Sequence, residues 1–220
     1  MPGKPARSRS SKSEPRRDLR EEFIQAALDI LAEPDDVRHK LDATTLTERA
    51  GRSLGSLSFH FRKREAGEAE PDARGGMWDL RAAVAARGLR DLTEVVRREQ
   101  EKRGRPPVDG LRQMARAFVR FAVGHPRLYR LIASEMWTEE VIAQRGQILR
   151  AVREQVMLCQ VTKAIRLGDP ELLTQLVAGL VYGMTQSALD GIISFARAED
   201  VVEAALNEML KGMAAPPDAR

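Results

Sequence analysis

The sequence predicts an all-α protein, with a small three-helix unit near the N-terminus that contains a helix-turn-helix, and a longer helical bundle behind it. Three observations lead there. Ala, Leu, Arg and Glu dominate the 220 residues and aromatics make up only 5%, a composition that suits helices rather than sheets. Apolar residues recur at three- and four-residue spacing, and no apolar/polar alternation runs long enough to suggest a strand. Capping residues, glycines and prolines fall between the periodic segments. With 43% apolar residues, the chain has enough material for a sizeable core, which excludes wholesale disorder.

Residues 1–15 are low-complexity and basic, and read as a disordered arm. A first helix starts near Asp18: Leu19, Phe23, Ala26, Ala27, Ile30 and Leu31 share a face, Glu21 and Glu22 suit its positive end, and Pro34-Asp35-Asp36 stops it. Asp42 can cap a second helix with Ala43, Leu46 and Ala50 on one face, ended by Gly51. Ser53 can cap a third, with Leu54, Leu57 and Phe61 on one face. Residues 66–76 read as a loop. Helical patterns follow at Met77–Lys102, Asp109–Val123, a short piece after Pro126, Thr138–Leu167, Pro170–Ser194 and Glu199–Lys211. The expected domains are 16–67 and 77–213.

Charge is unevenly spread. Residues 1–20 hold seven basic side chains against Glu14 and Asp18, whereas the other 200 hold 29 basic and 30 acidic residues. A second basic cluster is Arg49, Arg52, Arg62, Lys63 and Arg64. This asymmetry points to a polyanionic partner at the N-terminal end. The single cysteine, Cys159, excludes an internal disulfide and suits a reducing cytoplasm. No apolar leader is visible, and Thr174, Gln175, Gln186 and Asp190 argue against a membrane span in the Leu172–Phe195 region. His39, His60 and His125 are too scattered for a metal site. No cofactor is expected.

The segment Leu41–Phe61, with Ala50-Gly51, Ser53, Gly55, Leu57 and His60-Phe61 at fixed spacing, resembles the DNA-binding head of the TetR family. Phe23, Ala26, Ala27 and Ile30 resemble that family's first helix, and His125–Ile132 resembles a turn in its C-terminal domains. The resemblance implies a third helix entering the major groove while the second crosses the backbone. The candidate DNA-binding residues are Thr44, Thr45, Thr47, Arg52, Ser53, Gly55, Ser56, Leu57, Ser58, Phe59, His60, Arg62, Lys63 and Arg64. Arg52 replaces a residue that is small and apolar in the family, and Ser58 a phosphate-contacting tyrosine; Gly67 replaces a leucine, and the 66–76 loop resembles an insertion.

In the body, Gly179, Gly183, Ser187 and Gly191 follow at i+4 steps, a pattern that suits close approach of another backbone. Together with Val202, Leu206 and Met209 they form the dimer interface that the resemblance implies; intrachain packing is the alternative. An effector pocket would draw on Phe118, Phe121, Tyr129, Met136, Trp137, Met157 and Tyr182, with an apolar effector favoured because no charged anchor stands out. The resemblance implies a ligand-responsive regulator, more a repressor than an activator, acting as a homodimer on a palindromic operator in double-stranded DNA. An enzyme lacks support, since no phosphate loop, zinc-binding histidine pair, serine elbow or Cys/His pair is present. A protein-binding adaptor that has lost DNA affinity is the other reading that the residues leave open.

Overall fold

A computed structural model describes residues 18–34, 41–61, 75–134 and 138–214. The proposed arm and most of the 66–76 loop lie outside the described residues, as do Arg62, Lys63, Arg64, Met136 and Trp137.

Every regular element among the described residues is a helix, and none of them is a strand. The helices are α1 (Leu19–Ala32), α2 (Ala43–Ala50), α3 (Leu54–His60), α4 (Gly75–Glu101), α5 (Pro107–Gly124), α6 (Pro126–Ala133), α7 (Glu139–Val161), α8 (Pro170–Leu189) and α9 (Ala198–Gly212), with a short 3-10 turn at Phe195–Arg197. Local chemistry sets the boundaries. Asp18 accepts a hydrogen bond from the Arg20 amide and Asp42 one from the Thr45 amide, which satisfies amides that have no partner inside the helix. Thr138 and Asp169 cap α7 and α8 in the same way. α7 ends short of the expected Leu167, because Lys163 turns left-handed at φ 56° and the Ala164 and Ile165 amides fold back onto the Cys159 carbonyl.

α1, α2 and α3 do not close a core by themselves. Phe23, Ala27, Ile30, Leu46, Leu57 and Phe61 join Leu80, Val84 and Leu89 of α4, Leu128 and Ile132 of α6 and Val141 of α7 in one buried cluster. Phe23 and Phe61 meet edge to face at 6.1 Å, a geometry that aromatic quadrupoles favour. The second large cluster lies in the body and joins α5, α7, α8 and α9. There Arg116 and Arg120 of α5 grip Glu199 and Glu203 of α9, with Arg120–Glu199 at 2.6 Å and Arg116–Glu203 at 2.7 Å.

α8 is long and apolar enough to cross a membrane, but it packs within the bundle and buries Leu173, Val177, Val181 and Ala188. Its glycine series divides. Gly191 lies beyond the helix at φ 78°, with the Ile192 amide donating to the Ser187 carbonyl, so it terminates α8. Val202 and Leu206 are fully buried within their own chain, which corrects their assignment to a dimer interface: they face α5 and α8 because that side of α9 is the one closing the body. Met209 packs partly against the same cluster.

Phe23→Ala should cost about 3–5 kcal/mol in urea unfolding, because it empties the centre of the shared cluster. Hydrogen bonding from Arg120 holds the Glu199 carboxyl below its usual range. A value lower in the folded than in the unfolded state stabilises the fold above about pH 4.5, and this contribution disappears as pH falls through the folded value. Glu199→Gln should therefore flatten the acid limb of the stability curve, measured by urea midpoints between about pH 6 and about pH 3.

Candidate nucleic-acid interface

α2 and α3 form the helix-turn-helix, and the turn between them is Gly51-Arg52-Ser53. Gly51 sits at φ 62°, in the left-handed region, and its amide donates to the Glu48 carbonyl at 3.1 Å. Ser53 then caps α3, its hydroxyl accepting from the Ser56 amide at 3.2 Å. These two residues fix where α3 begins.

The structure sorts the candidate residues by exposure. Thr44 is exposed at the start of α2 and Thr45 half-buried; Thr47 bonds back to the Ala43 carbonyl at 2.8 Å. Ser53, Gly55, Ser58 and Phe59 are exposed, and Ser56 and His60 half-buried. A Cβ on Gly55 would meet only the Ser53 hydroxyl, at 3.8 Å. Phe59 is 80% exposed and its ring meets His60 edge on at 5.2 Å. Leu57 is 1% exposed. It is a core residue and not a nucleic-acid contact, because its position in α3 turns it onto α1 and α4.

Leu54 departs from the sequence reading in the opposite direction. Expected on the buried face with Leu57 and Phe61, it is 58% exposed. The first turn of α3 projects beyond the helices that cover the rest, which wheel position alone does not reveal. Arg52 is also redirected: its guanidinium donates to Glu22 of α1 through Nη2 at 2.7 Å and Nε at 3.1 Å. Arg49 pairs with Glu33 at the end of α1. Arg87 of α4 pairs with Glu21 at 2.6 Å, and Arg20 lies over the Phe61 ring at 5.3 Å. The acidic residues of α1 thus serve as partners for head and body arginines.

Of the pocket candidates, Phe118, Tyr129 and Tyr182 line one cavity of about 480 Å³ among α4, α5, α6, α7 and α8. Phe121 is corrected to a packing residue, set against the head cluster and against the small cluster of Leu92, Val96, Met114 and Ala151, with its ring 5.0 Å from His125. Met157 is corrected to an outer-surface residue, 41% exposed and outside the cavity. Leu92, Met114, Ile148 and Val177 complete much of the wall, and single-residue arguments about aromatics and methionines did not reach them. Cys159 is fully buried, and burial pushes its thiol up to about 11, which suppresses thiolate chemistry at neutral pH.

The architecture is that of a helix-turn-helix protein carried on an all-helical body. Residues 111–213 match the family model described as tetracyclin repressor-like, C-terminal domain. The fold is shared with a protein of unknown function from Rhodococcus sp. RHA1, at 22% identity and a TM-score of 0.72, covering 93% of this chain and 99% of that one. It is shared also with the TetR family transcriptional regulator PfmR from Thermus thermophilus, at 17% identity and a TM-score of 0.62, covering 89% and 97%. A TetR-like transcriptional regulator from Rhodococcus sp. RHA1 matches at 18% identity and a TM-score of 0.60, covering 90% and 99%. No curated protein matches in sequence. The fold, a helix-turn-helix head in front of a body whose residues 111–213 match a tetracyclin repressor-like C-terminal domain, is thus the one found in TetR family regulators of known structure.

Gly51→Ala should cost about 1–2 kcal/mol, since a Cβ meets no neighbour within 4 Å there and the penalty comes from the left-handed backbone alone. Gly51→Asn should recover part of that loss. Urea unfolding of the three proteins checks the order Gly above Asn above Ala.

Proposed function

We propose that the chain is a sequence-specific DNA-binding transcriptional regulator, a ligand-responsive repressor that acts as a homodimer on a palindromic operator in the cytoplasm. The observation that carries this reading is the tip of α3. A capped helix start, a glycine with open space beside it and small hydroxyl side chains stand outward on a scaffold fixed by α1 and α4.

In this reading the first turn of α3 enters the major groove. Gly55 permits close approach to the groove wall. Ser53, Ser56 and Ser58 offer hydroxyls to base edges or phosphate, and Leu54 and Phe59 offer apolar surface to thymine methyl groups or sugars. Thr44 and Thr45, with His60, reach the backbone. Arg62, Lys63, Arg64 and the basic residues of the first twenty supply the counterion-releasing charge. Arg52 acts first as a strut to Glu22, and contacts DNA only where that bridge opens.

Dimerisation is assigned to the outer face of α8. A Cβ on Gly179 or Gly183 would meet nothing within 4 Å, so packing within the chain does not account for these glycines. Leu172 and Leu176 are 54% and 47% exposed on the same helix. A second copy laid there would bury this apolar strip, and the resulting two-fold axis suits a two-fold operator. An effector bound more tightly by the DNA-incompetent arrangement would release the operator.

One observation favours a protein-binding adaptor instead. Leu54 and Phe59 are apolar and exposed on α3, while Arg49 and Arg52 beside them are engaged by acidic partners.

The two readings separate on DNA from the region upstream of the gene. Regulator binding should show sequence preference and fall about a hundredfold or more between about 50 and about 200 mM salt. Gly55→Glu should fold as the wild type does, because its side chain has room, and should lose about a hundredfold or more in specific affinity through like-charge repulsion. Sequence-indifferent binding by the wild type, or full operator affinity in this variant, sinks the regulator reading.

A further inference from the structure

We propose that the cavity among α4–α8 binds an uncharged, largely apolar ligand whose polar atom hydrogen-bonds the Tyr129 hydroxyl. This rests on the ligand-responsive reading above, and it specifies the chemistry of that ligand.

The cavity, at about 480 Å³, lies within the range of small-molecule sites. Its wall is mainly aliphatic, with Leu92, Met114, Ile148, Val152 and Val177 around the aromatic rings. Leu149 and Tyr182 belong to the wall yet are exposed, which puts the entrance between α7 and α8.

Tyr129 is at the inner end. It is 1% exposed, and its hydroxyl oxygen is buried with no hydrogen-bond partner. Its ring is fixed by Phe118 at 5.7 Å and approached by Tyr182 at 6.5 Å, and both of those line the cavity. Burial raises the hydroxyl's pKa, with Tyr182 acting in the same direction and Arg145 opposing it. The hydroxyl therefore stays protonated and can both donate and accept. A buried polar group without a partner is costly. A ligand that supplies the missing bond recovers that cost, and a hydrocarbon does not.

The charge of the ligand follows from the rest of the wall. Arg145 is the one charged residue among the described lining residues, and it donates to the carbonyls of Ile132 at 2.7 Å and Ser134 at 3.1 Å. Both bonds come from Nη2, so a carboxylate that drew the guanidinium into the cavity would pull that nitrogen off both carbonyls at the end of α6. A cationic ligand meets no carboxylate in the described wall. A neutral ligand enters this mainly apolar enclosure without any such exchange of partners.

Isothermal titration of the full chain with decanol, decanoate and decylammonium tests the assignment. Decanol should bind, and each charged analogue should bind at least about tenfold more weakly. Tyr129→Phe keeps the ring and removes the hydroxyl. It should weaken decanol about fivefold, while its unliganded melting temperature equals or exceeds that of the wild type. Failure of decanol to bind, equal affinity for a charged analogue, or undiminished decanol affinity in Tyr129→Phe overturns the proposal. Operator affinity measured in the same samples keeps the two readings apart: decanol binding that leaves DNA affinity unchanged supports the cavity assignment and removes ligand-responsive regulation.

Discussion

The head depends on a surface that it does not own. α1, α2 and α3 have 14, 8 and 7 residues, and helices this short are marginal without tertiary packing. Their apolar faces converge on Leu80, Val84 and Leu89 of α4, and the same cluster takes in Leu128 and Ile132 of α6. At Gly88 a Cβ would stand 2.9 Å from side-chain carbons of both Leu128 and Ile132, so α4 and α6 meet more closely there than an alanine would allow without movement. The position of α3 is therefore set by the body as much as by its own turn.

Arginine side chains extend the same arrangement to the helix ends. The last carbonyls of a helix lack amide partners within it. Arg127 of α6 donates to the Ile30 and Glu33 carbonyls at the end of α1. Arg130 reaches the Leu189 carbonyl at the end of α8, and Arg145 of α7 holds the end of α6. α6 consequently touches both the head and the cavity. Arg127 grips the head, Ile132 belongs to the head cluster and also lines the cavity, and Tyr129 stands at the cavity's inner end. Head and cavity share a boundary of one 8-residue helix rather than a long relay.

Local chemistry made much of this legible from sequence. Asp18, Asp42, Gly51 and Ser53 act at the positions their side chains and backbone preferences dictate, and these set the helix boundaries of the head. What sequence could not give was direction. Periodicity groups Leu54 with Leu57 and Phe61, yet only tertiary packing decides which of them the neighbouring helices reach. Val202 and Leu206 are apolar at the right spacing for an interface, and the fold uses that face inside the chain. The bridge from Arg52 to Glu22 spans 30 positions and leaves no local trace. The cavity is harder still, because its wall is assembled from five helices and its most informative feature is a hydrogen bond that is not made.

If the chain binds DNA as proposed, the ion pairs of the head also divide the work of recognition. Arg49 and Arg52, the basic residues nearest the turn, are engaged by Glu33 and Glu22, so the tip of α3 is left with hydroxyls, a glycine and two apolar side chains. Such groups read base edges and add little long-range attraction. The net positive charge of the N-terminal end resides in the first twenty residues and in Arg62, Lys63 and Arg64. On the proposed function, attraction to phosphate and discrimination among bases therefore rest on different segments. Weakening the first should lower affinity for all sequences alike, and altering the α3 tip should change which sequence is preferred. On the same proposal, the bridge from Glu22 to Arg52 maintains that separation by holding a guanidinium against α1 rather than at the turn that would face the groove.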